Sequence, residues 1–336
     1  MAWLVTGAAG FIGFHTAREL LRRGEAVVGV DNLNDYYDPT LKQARLATLQ
    51  SEANFEFIKL DLADEAAVAD LFRTHDFEVV INLAAQAGVR YALENPKAYI
   101  ASNIIGFQNL IDQARARPPR HFVFASTSSV YGANTNMPFS VAHNVDHPVS
   151  LYAATKKSNE LVAHSYAHLF RLSCTGLRFF TVYGPWGRPD MALFKFTRNI
   201  LAGEPIEVFN EGRHKRDFTY IDDIVDGVLR VANQPAEPDP TWTGDAPDPS
   251  TSNAPWRVYN IGNNEPVALM DFIAAIEDAL GKKANMLMRP LQPGDVPETY
   301  ADIDAISRAT GFKPHTSMRE GVGRFVEWYK DFYQVA

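Results

Sequence analysis

Short apolar runs alternate with longer amphipathic segments through the first half of the chain. The apolar runs lie at residues 3–6, 26–31, 55–59, 79–83, 121–125 and 174–179, and helical periodicity marks residues 11–23, 65–74, 98–115 and 150–170. Brief apolar runs bounded by helical segments are typical of parallel strands that are buried on both faces. The alternation therefore predicts an α/β fold with a doubly wound, parallel sheet of the Rossmann type.

The connection between the first predicted strand and the first predicted helix contains Gly7, Gly10 and Gly13. Glycines at this spacing allow a tight turn and a close approach of backbone to a pyrophosphate, which the helix N-terminus attracts. Asp31 ends the second predicted strand. A carboxylate there can accept both ribose hydroxyls of NAD and would repel the 2′-phosphate of NADP. This segment therefore predicts an NAD site.

Further cofactor contacts are predicted where the neighbouring strands end, because the carboxyl ends of parallel strands meet at one edge of a sheet. These residues are Phe11, Ile12, Asn32, Asn34, Asp61, Leu62, Leu83, Ala84, Ala85 and Asn103. Asn103 falls inside a predicted helix, where a buried polar contact is the alternative interpretation.

The pattern loosens after residue 180. Helical segments recur near residues 191–202, 222–232, 269–280 and 318–333, with short strands at 206–209 and 257–260. We predict an NAD-binding domain over 1–180, to which some later segments return, and a smaller C-terminal α/β substrate-binding domain over 181–336. Residues 235–255 hold six prolines, which predicts an exposed loop.

Charge and cysteine content restrict the class of protein. The 40 acidic residues outnumber the 32 basic ones, for a net charge of −8, and a nucleic-acid-binding protein usually carries a basic face. A small anionic ligand is compatible with this charge, because a local pocket can be basic. The single cysteine, Cys174, and the lack of a signal peptide or a long apolar run predict a cytoplasmic protein that does not contact a membrane. No metal site is predicted.

Tyr152 and Lys156 are four residues apart in a predicted helix and therefore share one face. A free tyrosine, with a pKa of about 10, is a poor base at neutral pH. A neighbouring ammonium and the positive nicotinamide of NAD favour the phenolate, which can then take a hydroxyl proton from the substrate. The hydroxyl-rich residues 126–129 follow the fifth predicted strand and can bind the same substrate oxygen.

Together these motifs resemble the extended short-chain dehydrogenase/reductase family, in its group of nucleotide-sugar epimerases and dehydratases. The resemblance covers nearly the whole chain and includes two later motifs at residues 178–185 and 216–223. It implies that Thr127, Tyr152 and Lys156 form the catalytic triad, with Tyr152 and Lys156 also contacting the cofactor. It further implies a homodimer in which the helices at 98–115 and 150–170 build a four-helix bundle.

The residues after Thr127 separate the reactions of this group. The resemblance implies a common first step, oxidation at C4 of the sugar to a 4-keto intermediate. Dehydratases then use an Asp-Glu pair after the threonine and UDP-glucuronate decarboxylases a Glu two residues after it, but here these positions hold Ser128 and Ser129. Hydride return to the opposite face, which is epimerisation, is the reaction that this pattern favours.

Residues 31–38, 86–91 and 184–192 resemble the UDP-glucuronate 4-epimerases of that group, which implies conversion of UDP-glucuronate to UDP-galacturonate. Such a substrate carries a carboxylate beside two phosphates, and a guanidinium fork suits a carboxylate. Arg90 and Arg188 are the arginines available near the sugar, unless they serve as surface or capping residues. Because a 4-keto uronate tends to lose CO₂, we expect Thr127, Ser128 and Ser129 to hold the carboxylate in the plane of the ring.

The resemblance also assigns the nucleotide half of the substrate site. Arg216 matches the phosphate-binding arginine, Phe209 lies at the uracil-contacting strand, and Asp295 is the candidate for the uridine ribose. Two departures from the family pattern occur: Thr181 stands where Asn is common, and the Arg-x-Gly-Asp motif begins with Gln292. Arg289, three residues earlier, is the alternative phosphate contact. Gly88 completes the predicted substrate site.

Three other functions are left open by the sequence. They are UDP-glucuronate decarboxylation, 4-epimerisation of a neutral UDP-hexose, and a binding module that senses the cofactor without turnover. The product formed from UDP-glucuronate separates them.

Overall fold

The computed structural model of the protein describes residues 1–292 and 296–335, and twelve strands and twelve α-helices lie in these residues. In chain order the strands are β1 (Ala2–Thr6), β2 (Val27–Asp31), β3 (Phe55–Lys59), β4 (Phe77–Asn82), β5 (His121–Thr127), β6 (Cys174–Phe179), β7 (Thr181–Tyr183), β8 (Ile206–Val208), β9 (Lys215–Tyr220), β10 (Trp256–Ile261), β11 (Pro266–Ala268) and β12 (Met286–Met288). The α-helices are α1 (Phe11–Arg22), α2 (Pro39–Gln50), α3 (Glu65–Thr74), α4 (Tyr91–Glu94), α5 (Pro96–Tyr99), α6 (Gly106–Ala116), α7 (Leu151–Phe170), α8 (Ala192–Ala202), α9 (Ile221–Ala232), α10 (Leu269–Leu280), α11 (Asp304–Thr310) and α12 (Met318–Tyr333).

Seven strands form one parallel sheet in the order β10-β6-β5-β4-β1-β2-β3. The register places Leu4 of β1 between Val28 of β2 and Val80 of β4. The doubly wound fold predicted from the sequence is confirmed. The strand order reverses between β1 and β4, and in open α/β sheets ligands bind at the carboxyl edge beside such a reversal. The fold thus places a site next to the glycine turn after β1.

Helices cover both faces of this sheet, which explains why its central strands are buried and largely apolar. Phe14 of α1 and Val228 of α9 belong to the apolar core on one face. Leu71 of α3, Leu110 of α6 and Ala163 of α7 belong to the core on the other. Burial of apolar area on this scale is the main term that stabilises the fold.

Helix α2 is not among the helices predicted from the sequence. Its start carries ordinary signals, since the Asp38 carboxylate accepts a hydrogen bond from the Thr40 N–H at 2.9 Å and Pro39 occupies the first turn. The inward face of the helix, however, includes two buried cations, Lys42 and Arg45. These charges interrupt the apolar stripe that helix prediction relies on.

The predicted helix at 98–115 is a longer segment made of α5, a π-helical turn at Ile100–Ile105, and α6. Inside the turn the Asn103 carbonyl accepts a hydrogen bond of 2.7 Å from the Asn159 amide of α7. Such π turns are frequent beside functional sites, and Ser102 of this one lines the cleft described below.

The second half of the chain builds two small sheets. β7, β9 and β11 form one and β8 and β12 form the other, with α8, α10 and α12 packed together beside them. The chain then rejoins the main sheet, because α9 packs on α1 and β10 pairs with β6. The domain boundary at residue 180 stays a prediction.

Two further features concern the described chain. Residues 235–255 contain no helix or strand and are mostly exposed, with Ala236, Ser250, Ser252, Ala254 and Pro255 as the buried exceptions. No helix within residues 1–292 and 296–335 has both the length and the apolar character that a membrane span requires.

Candidate active site

A cleft of about 440 Å³ lies at the carboxyl ends of β1, β2, β4, β5 and β6. The cofactor residues predicted from the sequence that line it are Gly7, Gly10, Phe11, Ile12, Gly13, Asp31, Asn32, Asn34, Asp61, Leu62, Leu83, Ala84, Ala85, Tyr152 and Lys156. The predicted substrate residues that line it are Gly88, Thr127, Ser128, Ser129, Thr181 and Arg188. The fold therefore brings two sets of residues, from distant parts of the chain, to one cavity.

The glycine turn at the base of the cleft has no room for larger side chains. A Cβ on Gly13 would lie 2.0 Å from the Gly7 carbonyl oxygen, and a Cβ on Gly7, whose φ is +70°, would lie 2.9 Å from the Ala84 nitrogen. The Thr6 hydroxyl joins the ends of β1 and β4, because it donates to Asn82 Oδ1 at 2.6 Å and accepts from the Ala84 N–H at 3.1 Å. This packing leaves bare backbone facing the cleft, as a dinucleotide pyrophosphate requires.

Asp31 is a buried carboxylate at the end of β2. Its Oδ2 accepts a hydrogen bond from the Ala9 N–H at 3.1 Å, and its Oδ1 accepts one from the Leu33 N–H at 2.8 Å. The two bonds fix the orientation of the carboxylate, and each oxygen keeps a second lone pair for a ribose hydroxyl. Together with the glycine turn, Asp31 fits the adenosine half of NAD.

Polar side chains from the loops after β2 and β3 extend this region. Asn32 Nδ2 donates to Asp61 Oδ2 at 3.0 Å, which joins the two loops. The Lys42 ammonium, from α2, donates to Asn34 Oδ1 at 2.7 Å and to the Asn34 carbonyl at 2.8 Å. Lys42 lines the cleft and was missed because α2 was missed. The Asp38–Pro39 helix start was the available signal for it.

Asn103 is not among the residues that line the cleft. Its side-chain amide accepts from the Gln86 N–H at 2.8 Å and donates to the Gln86 carbonyl and the Thr155 hydroxyl, both at 3.0 Å. These contacts match the buried polar contact considered as its alternative interpretation. Through them Asn103 holds the loop after β4 against α7.

The three predicted catalytic residues come from two neighbouring elements. Thr127 ends β5, while Tyr152 and Lys156 lie in the first turns of α7. α7 begins at Leu151 because the Ser150 hydroxyl caps it, accepting from the Ala153 N–H at 3.1 Å. The cap therefore fixes where Tyr152 enters the cleft.

Burial dominates the ionisation of this pair. It raises the pKa of Tyr152 above its usual range, against the positive charge of Arg188 and a hydrogen bond with Thr127, which both lower it. Burial also lowers the pKa of Lys156 to about 8, although the negative charge of Glu160 opposes this. Lys156 thus keeps its proton at pH 7, and Tyr152 needs further positive charge to act as a base.

A buried ion pair between Glu160 and Arg178 joins α7 to the main sheet. Glu160 accepts two hydrogen bonds from Arg178 of β6, at 2.8 and 2.9 Å, and one from Ser126 of β5 at 2.7 Å. Glu160 lies four residues after Lys156 and hence on the same side of α7. This network holds α7 against the ends of β5 and β6.

Arg188 enters the cleft from the connection between β7 and α8. Its Nε donates to Asp190 Oδ1 at 3.0 Å and its Nη2 to Asp190 Oδ2 at 2.5 Å. Tyr36 Oη donates to the same Oδ2 at 3.2 Å. Burial opposes the charge of Arg188, but the pairing with Asp190 outweighs it and raises the pKa of Arg188. Tyr36 and Asp190 also line the cleft, and the sequence analysis missed both.

Four predicted substrate residues do not line this cleft, namely Arg90, Phe209, Arg216 and Arg289. The Arg90 guanidinium carbon lies 5.1 Å from the ring centre of Phe209, so the loop after β4 reaches the small sheet of β8 and β12. Arg289 pairs with Glu207 at 3.1 Å on the surface. Arg216 donates to the Pro297 carbonyl at 3.0 Å. Asp295 lies outside the described residues, and the roles of all five stay predictions.

Residues 3–262 match the model of the NAD dependent epimerase/dehydratase family. A relative in Rhizobium meliloti (strain 1021), named probable UDP-glucuronate 4-epimerase, is 51% identical and covers 100% of this chain and 99% of its own length. The match extends through both the cofactor and the substrate regions predicted from the sequence.

Two solved structures share the fold over nearly their whole length. The UDP-glucuronic acid 4-epimerase of Bacillus cereus, in complex with UDP-glucuronic acid and NAD, is 33% identical with a TM-score of 0.87, and the match covers 99% of this chain and 100% of that one. The UDP-glucose 4-epimerase of Thermotoga maritima, with UDP-glucose, is 28% identical with a TM-score of 0.85 at the same coverage. Backbone similarity alone thus does not separate charged from neutral sugars.

Proposed function

The chain belongs to the NAD dependent epimerase/dehydratase family, and from that membership we propose that it interconverts UDP-glucuronate and UDP-galacturonate by inversion at C4. It is an isomerase of the nucleotide-sugar 4-epimerase type, and its cofactor is NAD. The composition of the cleft supports a uronate as the sugar. There Tyr152 and a partly buried Arg188 line the same cavity as Ser128 and Ser129, positions that hold no carboxylate.

When bound, NAD would supply the acceptor for the hydride of C4 and the donor that returns it to the other face of the sugar ring. The residues that hold it are the glycine turn and Asp31, with Asn32, Asn34 and Asp61 around the adenosine. Backbone N–H groups and the start of α1 meet the pyrophosphate charge. The protein's part is therefore to bind and orient the two ligands and to move one proton.

Tyr152 Oη is the group that takes and returns the proton of the C4 hydroxyl. Burial raises its pKa, so the positive charge of Arg188, of Lys156 and of the cofactor ring must favour the phenolate together. Thr127 completes the set, because its hydroxyl can bind the same substrate oxygen. Thr127 also orders the next turn, since it accepts from the Ser129 N–H at 3.2 Å.

The 4-keto uronate must keep its carboxylate. A β-keto acid loses CO₂ readily when the breaking bond overlaps with the carbonyl, and a carboxylate held in the ring plane overlaps poorly. We assign that restraint to Thr127, Ser128 and Ser129, with the Arg188 guanidinium as the counter-charge. A carboxylate at residue 129 would repel the substrate carboxylate, and the hydroxyl does not.

We assign the nucleotide half of the substrate to the residues that the family resemblance selects. Arg216 and Arg289 are proposed for the diphosphate, Asp295 for the uridine ribose, and Phe209 for the uracil. Arg90 stacks on Phe209, a contact that can orient the ring for the base. On an acidic protein these arginines supply the local positive charge that the diphosphate needs.

The second proposal concerns assembly. The helical segments at 96–116 and 151–170 expose five large apolar side chains, namely Ile100, Ile105, Leu161, Leu169 and Phe170. Apolar side chains concentrated on two neighbouring helices mark an interaction surface. We propose a homodimer through a four-helix bundle, formed by these segments and their copies.

Two broader assignments accompany these proposals. The chain is organised as an NAD-binding part over 1–180 and a substrate-binding part over 181–336, with α9 and β10 returning to the first. The protein works in the cytoplasm, a compartment that keeps the single buried thiol of Cys174 reduced.

Identification of the product from UDP-glucuronate by NMR tests the function. UDP-galacturonate supports the proposal, whereas UDP-pentose with CO₂ supports a decarboxylase. Turnover of UDP-glucose alone would favour an epimerase of neutral sugars. A protein that binds NAD but converts no nucleotide sugar would refute the proposal.

A further inference from the structure

Arg45 of α2 is a fully buried cation between the cofactor turn and the substrate loop. Its Nη1 donates to the Ala9 carbonyl at 3.0 Å, and its Nη2 donates to the carbonyls of Trp186 and Gly187 at 2.5 and 3.2 Å. One guanidinium therefore touches both the glycine turn and the segment that leads to Arg188.

The acceptors of this cation are all neutral. Besides the three carbonyls, Arg45 donates to the Tyr37 hydroxyl at 2.8 Å, and no acidic side chain among residues 1–292 and 296–335 pairs with it within 4.0 Å. Its Nε is buried without a hydrogen-bond partner there. The negative charge of Asp31 acts on the guanidinium from beyond ion-pair distance. A buried charge without a direct ion-pair partner destabilises a fold, so an apolar residue of equal length would suit folding better. Its presence calls for a role beyond packing.

The substrate end of this contact is under backbone strain. Trp186 has a φ of +60°, a conformation that is costly for a bulky residue and that persists only where its surroundings impose it. Those surroundings are the bond from Arg45 and the packing of the indole, whose ring centre is 5.4 Å from Phe14 and 5.3 Å from Trp328. Trp186 is two residues before Arg188, so its backbone conformation sets the direction from which Arg188 enters the cleft.

The cofactor end is equally constrained. The Ala9 carbonyl accepts from Arg45, and the Ala9 N–H donates to Asp31 Oδ2 at 3.1 Å. A shift of the glycine turn on binding a pyrophosphate would act on the Arg45 guanidinium through the Ala9 carbonyl. From there it reaches the carbonyls of Trp186 and Gly187.

We propose that Arg45 is a positioning residue that couples the two ligand sites. An occupied glycine turn holds Arg45, Arg45 holds the strained backbone at Trp186, and that backbone holds Arg188 ready for the substrate's carboxylate. This inference rests on the proposed function, since it takes the anion near Arg188 to be a uronate. Because coupling free energies are reciprocal, bound UDP-glucuronate should slow the release of NAD.

The test compares wild type with Arg45→Met, Arg45→Lys and Lys42→Met. Exchange of bound NAD for isotope-labelled NAD is followed by mass spectrometry, with and without UDP-glucuronate, and thermal unfolding confirms that each variant folds. In wild type we expect the substrate to slow exchange roughly fivefold or more, the usual scale of coupling. Arg45→Met should reduce that ratio to about one. Arg45→Lys should reduce it similarly, since one ammonium cannot span both loops. If Arg45→Met does not fold, Arg45→Lys alone still tests the coupling.

Lys42→Met is the matched control, because it removes a neighbouring buried cation of the same helix. The hydrogen bonds of Lys42 within the described part of the chain go to Asn34, and its ammonium lies 4.8 Å from the ring centre of Tyr37. This variant should speed NAD exchange with and without substrate and leave the ratio unchanged. An unchanged ratio in both folded Arg45 variants, or no effect of UDP-glucuronate in wild type, would overturn the inference. The product formed by wild type tests the proposed function separately.

Discussion

Arg188 and Asp190 form a two-pronged ion pair inside the cleft that also holds Tyr152, with Nε–Oδ1 at 3.0 Å and Nη2–Oδ2 at 2.5 Å. The Tyr36 hydroxyl donates to the same carboxylate at 3.2 Å. The guanidinium is thereby oriented before any substrate binds, which lowers the entropy lost on binding. Recognition of a sugar carboxylate should therefore depend on Asp190 as well as on Arg188.

Arg188→Lys should raise KM for UDP-glucuronate about 10- to 100-fold, since hydrogen bonds to a charged group contribute about 1.5–3 kcal/mol. Asp190→Asn should raise it less, because the amide keeps one acceptor. Steady-state kinetics with UDP-glucose, which lacks the carboxylate, provide the comparison. Equal effects on the two sugars would contradict a role for Arg188 in carboxylate recognition.

Ser129→Glu should shift the product from UDP-galacturonate towards UDP-pentose. The new carboxylate repels that of the substrate and removes one restraint on its orientation, so loss of CO₂ competes with hydride return. NMR of the nucleotide sugars gives the product ratio. Ser129→Ala serves as the control without a charge. An unchanged product ratio in Ser129→Glu would contradict a role for residue 129 in restraining the substrate carboxylate.

Tyr152→Phe should lower kcat about 10²- to 10⁴-fold, the range that a positioned acid–base group contributes. The phenyl ring keeps the packing, so NAD should stay bound, as measured by absorbance after gel filtration. Tyr259→Phe, on β10 and outside the cleft, should behave as wild type. Substantial turnover by the Tyr152 variant would disprove its assignment as the base.

The motifs that sequence analysis identified are local. Gly7, Gly10 and Gly13 lie within one turn, and Tyr152 and Lys156 lie on one helix, so spacing alone indicates their chemistry. Arg45 acquires its role from contacts with residues far along the chain, as Asp190 does in part through its bond with Tyr36. Arg45 reaches Ala9 and Gly187, 36 and 142 residues away. No periodicity encodes such a contact.

The same distinction applies to the fold. The strands predicted in the first half are buried on both faces and stand out as apolar runs, and all six are present in the main sheet. β7 and β11 have only three residues each, too few for a period to be visible. The seventh strand, β10, is predicted from the sequence at 257–260. Its pairing with β6 depends on tertiary packing alone.

Acid should destabilise the protein through two buried histidines. Burial lowers the pKa of His15 to about 3 and that of His121 to about 4, from 6.5. Burial and the positive charge of Arg18 keep His15 neutral. The bond from Nε2 to the Pro185 carbonyl, at 2.9 Å, opposes them and raises the pKa. Below pH 6.5 the unfolded chain binds more protons than the folded one, so the free energy of unfolding decreases as the pH is lowered.

Each histidine should remove about 1.6 kcal/mol from the free energy of unfolding between pH 6.5 and pH 5, because the loss per pH unit rises towards about 1.36 kcal/mol as the unfolded-state imidazole becomes protonated. Denaturant titrations of wild type and of a His15→Gln/His121→Gln variant measure this. Subtracting the pH dependence of the variant from that of wild type cancels the contribution of the other titrating groups. One of these is Asp217, whose pKa burial raises to about 6, so that its protonation stabilises the fold as the pH falls. Parallel pH dependences would exclude the histidines as the cause.

Leu169→Glu should convert a dimer to a monomer. Leu169 is 68% exposed on α7, and a buried charge in a helical bundle destabilises association. Sedimentation at micromolar concentration measures the mass. Leu287→Glu, an exposed apolar site on β12 outside the bundle, should leave the dimer intact. A wild-type protein that sediments as a monomer would exclude the interface.

The return of β10 to the main sheet has a consequence for protein engineering. A polypeptide that stops at residue 180 would lack the strand that pairs with β6 from Cys174 to Phe179. It would expose β6 as a free, apolar edge, a template for aggregation. A chimera of two related epimerases that is meant to transfer substrate preference must therefore replace the segments before and after β10 separately and keep β10 with the sheet to which it belongs. A single crossover would divide the sheet that both parent enzymes need.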